Sequence, residues 1–263
     1  MKPKRPRKSR RASRARNGDA ELAFSSDEVE AFWSRVAWEE YEDAHQVVDA
    51  THAQRFHISV PRLSLAPTGR LLNLWSRQGE AIPFIRQRFP DAELVNAEIS
   101  RVMLRQAAER FPRETFVPCD LQSIDRPDDH FGAILSLETL EHSPSPQRLL
   151  DEMFRVLEPG GQLVLTCPSV ASEVHLWVAD HFLGNHGEGP HRFPSTLGVK
   201  RMLRRAGFRL VVHRATLFVP AELGGVLGRL NGLCERLLQW FPANELGIRQ
   251  LYEARKPTGG ARS

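Results

Sequence analysis

Four short apolar segments end on residues able to bind or react with a ligand: Asn73-Leu74-Trp75-Ser76-Arg77-Gln78-Gly79, Glu98-Ile99-Ser100, Cys119-Asp120-Leu121 and Glu138-Thr139-Leu140-Glu141-His142. Ionised carboxylates accept hydrogen bonds and donate none, so Glu98 and Asp120 suit ligands that present hydroxyl or amine donors. Glu98 follows Gly79 by about 20 residues, the interval at which an acid on a second strand reaches ribose hydroxyls in nucleotide-binding folds. The plainer alternatives are a solvated strand-end acid for Glu98 and a helix or turn cap for Asp120. His142 is the best candidate for a base, because imidazole titrates near neutral pH; a structural or capping histidine is the competing reading.

Further along, His186-Gly187-Glu188-Gly189-Pro190-His191 places three possible metal ligands within six residues. Two glycines and a proline break the helical spacing that a His-Glu-x-x-His zinc site needs, so no metal site is assigned. An acceptor loop is the better reading, with His191 or Arg192 touching substrate, against plain loop packing. Leu223, Val226, Leu227, Leu230, Leu233, Leu237, Leu238 and Phe241 form an apolar stripe at helical spacing. Such a stripe is expected to be core or a lid, with a lipid pocket, a membrane surface or a dimer seam as alternatives.

The elements that must position these residues can be read from periodicity. GRLLNLWS, AELVNAEIS, ETFVPCDLQ, FGAILSLETL and GQLVLTCPS are short apolar runs, as strands buried on both faces of a parallel sheet should be. GEAIPFIRQRF, RVMLRQAAERF and PQRLLDEMFRVLEPG lie between them with apolar residues at helical spacing. Five strands separated by helices predict a doubly wound α/β sheet, whose ligands sit across the carboxyl ends of the central strands. Before it, Ser25 reads as an N-cap with Glu28 three residues on, followed by Val29, Phe32, Trp33 and Val36, and helical segments run to about Phe56. Pro67-Thr68-Gly69 breaks the chain between these helices and the sheet.

Composition sets the class and excludes others. The chain has 263 residues, 41% hydrophobic and 26% charged, with 18 Gly and 18 Pro, which excludes pervasive disorder, collagen and disulfide scaffolds. Residues 1–16 carry nine of the 36 Lys and Arg and no acid, leaving 27 bases against 32 acids elsewhere. The body is therefore mildly acidic, and a nucleic-acid or anionic-surface partner is expected only through the basic tail. Three scattered cysteines, Cys119, Cys167 and Cys234, offer no disulfide framework and suit a reducing, cytoplasmic setting. No apolar run is long enough to span a membrane. The expected organisation is a disordered tail over 1–19, a helical segment over 20–66, a main domain over 67–257 with insertions at 170–195 and 220–245, and a short tail over 258–263.

From Arg70 to Ser169 the chain resembles the class I S-adenosylmethionine-dependent methyltransferases, particularly the small-molecule group of type 11. The resemblance is carried by Phe131-Gly132-Ala133-Ile134-Leu135-Ser136, Leu140-Glu141-His142 and, most specifically, Arg155-Val156-Leu157-Glu158-Pro159-Gly160-Gly161-Gln162-Leu163. It continues loosely through Phe193-Pro194-Ser195 and Arg204-Arg205-Ala206-Gly207-Phe208. The resemblance implies a Rossmann-like sheet of seven strands, the last antiparallel, with Arg209–Val219 as the sixth and Ile248–Arg255 as the seventh. It implies S-adenosyl-L-methionine as cofactor, with Glu98 on the ribose beside Ile99, and Asp120 on the adenine amine beside the Leu121 backbone.

The first-strand loop departs from that family. The family carries an acid and then Gly-x-Gly-x-Gly, whereas here Asn73 replaces the acid, Trp75 and Arg77 replace two glycines, and Gly79 remains. Glycines permit positive φ and close backbone approach, which Trp and Arg are expected to resist. Either the loop is rebuilt so that Arg77 meets the cofactor carboxylate, or its side chains block the pocket. The leading expectation is methyl transfer to a small molecule, sugar- and lipid-linked acceptors among the candidates. A non-catalytic binding protein and an RNA or protein methyltransferase anchored by the tail are the alternatives. A nicotinamide dehydrogenase is disfavoured by the missing Gly-x-Gly-x-x-Gly.

Overall fold

A computed structural model describes residues 24–42, 50–173, 189–218 and 225–259. The basic arm, His186, Gly187, Glu188 and Leu223 lie outside the described residues. In chain order the elements are α1 (Ser26–Glu42), α2 (Ala50–Ser59), β1 (Arg70–Leu74), α3 (Ile82–Arg88), β2 (Glu93–Glu98), α4 (Arg101–Arg110), β3 (Thr115–Pro118) and β4 (Phe131–Leu137). They continue with α5 (Pro146–Val156), β5 (Leu157–Pro168), α6 (Thr196–Ala206), β6 (Arg209–Thr216), α7 (Gly225–Leu237) and β7 (Arg249–Arg255).

The strands form one seven-stranded sheet in the order β3-β2-β1-β4-β5-β7-β6. Strands β1 to β5 pair in parallel, and β7 runs antiparallel between β5 and β6. This is the Rossmann-like arrangement with an antiparallel last strand that the family resemblance implies. The sixth and seventh strands begin and end within a few residues of expectation, although β6 stops at Thr216 rather than Val219.

Alternation along the strands sends side chains to two cores. Leu72, Leu74, Ile134, Leu163 and Leu165 meet α5 and α6 residues such as Met153 and Leu203 on one face. Leu71, Ala133, Leu135 and Val164 meet Phe56, Ile82 and Ile85 from α2 and α3 on the other. Coverage on both faces is why the central strands are apolar throughout.

Local signals account for the helix ends. Glu28 Oε2 accepts from the Ser25 amide at 2.8 Å and Ser25 Oγ accepts from the Glu28 amide at 3.3 Å, the reciprocal pair expected at the start of α1. Gly207 closes α6 at φ 101°, and a Cβ there would meet the Phe154 ring at 2.9 Å.

Among the described residues of the apolar stripe near the C-terminus, Leu230, Leu233, Leu237 and Phe241 are exposed and do not belong to the core. Asn231, Glu235 and Gln239 instead face the sheet. The reason is that α7 lies against the edge strand β6, whose unpaired backbone groups demand polar partners.

Candidate functional site

The carboxyl ends of β1, β2, β3 and β4 converge under α1, and the predicted site residues gather there. Glu98, the last residue of β2, has no solvent exposure. Its Oε2 accepts from the Arg77 amide at 2.6 Å and its Oε1 from the Ser100 amide at 2.9 Å. Burial pushes its carboxyl up to about 7, against the pull of these two amides and of the Arg77 guanidinium. Each carboxylate oxygen has a second lone pair, so Glu98 keeps acceptor capacity for ligand hydroxyls.

The first-strand loop has the backbone shape that glycines would give it. Trp75, Arg77 and Gly79 stand at φ 58°, 50° and 85°, so all three glycine positions of the family pattern lie in the left-handed region. The expectation that Trp75 and Arg77 resist this conformation is corrected by the structure. For non-glycine residues it costs about 1–3 kcal/mol each and persists only where surrounding packing enforces it. Here the enforcement is visible. The buried Trp75 indole packs edge-on against His142 at 4.7 Å and against Trp33 of α1 at 5.7 Å between ring centroids. The Arg77 guanidinium lies 4.1 Å from the centre of the Trp33 ring, a cation–π contact that aims it under α1.

Helix α1 is the roof of this site. Val29, Trp33 and Ala37 are buried against Trp75, Ile99, Met103 and Leu121. Ser34 Oγ and Ser100 Oγ are 2.9 Å apart, and Ser26 Oγ donates to Asp120 Oδ1 at 3.1 Å. Asp120 is exposed and its Oδ1 also accepts from the Gln122 amide at 3.0 Å, so it caps its own turn while facing the site. Asn73 lies one step back, its Nδ2 donating to Asn96 on β2 at 2.9 Å. Gly79 is buried, and a Cβ there would meet the Phe111 ring at 2.8 Å.

His142 is buried, and its Nδ1 lies 2.9 Å from the Pro190 carbonyl oxygen. A carbonyl only accepts, so Nδ1 carries the proton and Nε2 is the basic nitrogen. Burial lowers the imidazolium pKa to about 3, with Arg77 and His191 contributing repulsion, so the ring is neutral at physiological pH. His191 stacks on Phe193 at 4.5 Å and lies 6.2 Å from His142 between ring centroids. Arg192 is exposed, its amide donating to the Glu141 carbonyl at 2.9 Å.

Sequence reasoning missed two features. One is the position of Trp33, whose stripe was legible but whose docking place was not. The other is Glu138, at φ 54° after β4, which pairs with Arg55 of α2 at 2.6 Å and Arg249 of β7 at 2.7 Å. Both arginines are about 5% exposed, so α2 is fixed to the strand ends by buried charge. No sequence signal marks this, because the three residues are distant along the chain.

A cofactor can be tested against these groups. Trp33 Nε1, Trp75 Nε1 and Ser76 Oγ are buried with no hydrogen-bond partner among the described residues, and the two indole rings lie beside the Arg77 guanidinium. Unused donors beside a cation fit an anionic group, and Glu98 and Asp120 fit hydroxyl and amine donors. The donor set therefore suits a ligand with a carboxylate at one end and a nucleoside at the other.

The fold defines a Rossmann-like protein whose candidate site residues gather at the carboxyl ends of its strands. Residues 75–165 match the methyltransferase domain family. The trans-aconitate 2-methyltransferase of Variovorax paradoxus is 28% identical over 141 residues, 54% of this chain and 52% of the relative. The demethylmenaquinone methyltransferase of Thermus thermophilus is 29% identical over 175 residues, 58% of this chain and 80% of the relative. This chain thus spans about half the length of the first relative and most of the second. Among solved structures, a methyltransferase from Thermotoga maritima aligns with a TM-score of 0.61 at 20% identity, covering 86% of this chain and 99% of that one. The cyclase SpnF aligns with a TM-score of 0.67 at 19% identity, covering 93% and 100%. The matched domain and these relatives support a class I S-adenosylmethionine-dependent methyltransferase domain over residues 75–165, and the solved structures share its fold.

Proposed function

We propose that this chain transfers the methyl group of S-adenosylmethionine to a small-molecule acceptor. The observation that carries the reading is the first-strand loop, which holds positive φ at Trp75 and Arg77 without the glycines that make it inexpensive. Strain of this kind is retained where the loop shape matters to binding. When bound, the cofactor supplies an electrophilic methyl group on sulfur; the chain's task is to bind, align and exclude water. Glu98 would accept from the ribose hydroxyls, Asp120 from the adenine amine beside Leu121, and Ile99 would pack against the base. Arg77, with the free Trp and Ser donors, would hold the methionyl carboxylate bidentately from farther away than a loop amide reaches.

His142 is neutral with Nε2 as acceptor, so it orients an acceptor hydroxyl or amine rather than storing a proton. A group with a pKa near 3 is a weak base at neutral pH, and the chemistry then favours an acceptor that is itself nucleophilic. His191 and Arg192 border the same opening. Relatives named for trans-aconitate and demethylmenaquinone support a small-molecule acceptor, and the likeness to a cyclase shows that this fold also carries other chemistry.

Calorimetric titration of the intact chain with S-adenosylhomocysteine tests the reading. Saturable binding is expected, strengthening as pH rises through about 7 because Glu98 must be ionised to accept fully. Glu98→Gln should weaken it by about 10- to 100-fold, the equivalent of 1.5–3 kcal/mol for hydrogen bonds to a charged group, and remove the pH dependence. Absence of binding at millimolar ligand would favour the non-catalytic reading.

A further inference from the structure

Helix α7 is attached to the fold by its polar face. Asn231 Oδ1 accepts from the Phe218 amide at 2.7 Å, Glu235 Oε1 from the Leu217 amide at 2.9 Å and Gln239 Oε1 from the Ala215 amide at 2.9 Å. Gln239 Nε2 also donates to the Ala215 carbonyl at 2.9 Å. Residues 231, 235 and 239 recur every four positions, so one side of the helix continues the hydrogen bonding of the edge strand β6.

The consequence is an inverted amphipathic helix. Leu230, Leu233 and Leu237 of α7 and, just after its end, Trp240 and Phe241 are between 45% and 62% exposed, the three leucines at helical spacing on its outward side. Its charges have one sign. Arg229 and Arg236 flank the leucines and are exposed, whereas the acid of the same segment, Glu235, is turned to the sheet. An apolar ridge with basic flanks and a tryptophan at its end matches a surface that is apolar within and anionic outside.

We propose that this face of α7 binds anionic lipid bilayers, with Leu230, Leu233, Leu237, Trp240 and Phe241 entering the interface and Arg229 and Arg236 pairing with lipid phosphates. The charge pattern selects lipid over a second copy of the chain, because two such faces would bring four arginines together without an acid. No helix among the described residues is long and apolar enough to cross a membrane, so the binding is peripheral.

Flotation of the intact chain with vesicles of phosphatidylcholine, alone or mixed with phosphatidylglycerol, tests this. The chain should float with the mixed vesicles and remain behind with the neutral ones. R229E/R236E should lower partitioning by roughly tenfold or more, from two surface charges lost and reversed. L233S/L237S should lower it similarly while keeping the wild-type melting temperature. Wild-type flotation in both variants would overturn the proposal and assign lipid binding to another basic segment. A dimer in sedimentation that Leu237→Glu dissolves would overturn it in favour of self-association, and a marked loss of melting temperature in L233S/L237S would show that the face packs within the molecule.

Discussion

Helices α1 and α7 carry similar patterns and are mounted in opposite senses. Helix α1 turns Val29, Trp33 and Ala37 inward onto Trp75, Ile99 and Leu121 and leaves Asp27 and Glu28 outside. Helix α7 turns Asn231 and Glu235 inward and leaves Leu230, Leu233 and Leu237 outside. The surface each helix meets explains the difference. At the strand ends under α1 the backbone groups are occupied and apolar side chains protrude, so burial of Trp33 is favourable. At the end of β6 and just beyond it the backbone amides of Ala215, Leu217 and Phe218 face Gln239, Glu235 and Asn231 rather than another strand, and leaving them unbonded costs more than exposing three leucines. Periodicity says which residues share a face; the receiving surface decides which face is in.

The comparison is most exposed to failure at Trp33. Trp33→Ala should destabilise the chain by about 3–5 kcal/mol in denaturant titration, as for a large buried aromatic. A loss below 1 kcal/mol would mean that α1 does not close the site. Next comes Glu235, where the polar residue is the structural one: Glu235→Ala should cost about 1–3 kcal/mol by leaving the Leu217 amide without its acceptor.

The buried titratable groups under α1 have a pH signature. The folded pKa of His142, about 3, lies below its ordinary 6.5, so the folded state excludes a proton that the unfolded chain binds between these values. Its contribution is present above pH 6.5 and is lost at about 1.4 kcal/mol per unit as pH falls toward 3. Glu98 works oppositely, favouring the fold below 4.5 and losing that contribution as pH rises through about 7. His142→Gln should therefore make thermal stability fall more steeply with rising pH between 4.5 and 6.5 than in wild type. An unchanged slope would show that the ring is hydrated. The smallest effect belongs to Leu233→Ala, expected within about 0.5 kcal/mol because the side chain is half exposed.

Much of the fold was legible because buried parallel strands and capped helices are written locally. The Ser25 and Glu28 pair, the Gly207 stop and the five apolar runs needed no knowledge of distant residues. Glu98 was legible at the site for the same reason, since strand ends in a doubly wound sheet face one crevice. The positive φ of Trp75 and Arg77 was not, because local preference argues against it and the packing of Trp33 and His142 overrides that preference. The outward side of Leu230, Leu233 and Leu237 departs from the core reading of the stripe for the reason already given, since β6 lies elsewhere in the sequence. The Arg55–Glu138–Arg249 cluster depends wholly on the completed sheet.

The central claim is that the rebuilt loop binds a carboxylate-bearing nucleoside rather than filling its place. Arg77→Ala, titrated with S-adenosylmethionine and with adenosine, separates the two directly. If Arg77 holds the methionyl carboxylate, affinity for S-adenosylmethionine falls by about 10-fold or more while affinity for adenosine, which lacks that group, hardly changes. Tighter binding of both ligands by Arg77→Ala would contradict the account and show that Arg77 and Trp33 plug the pocket.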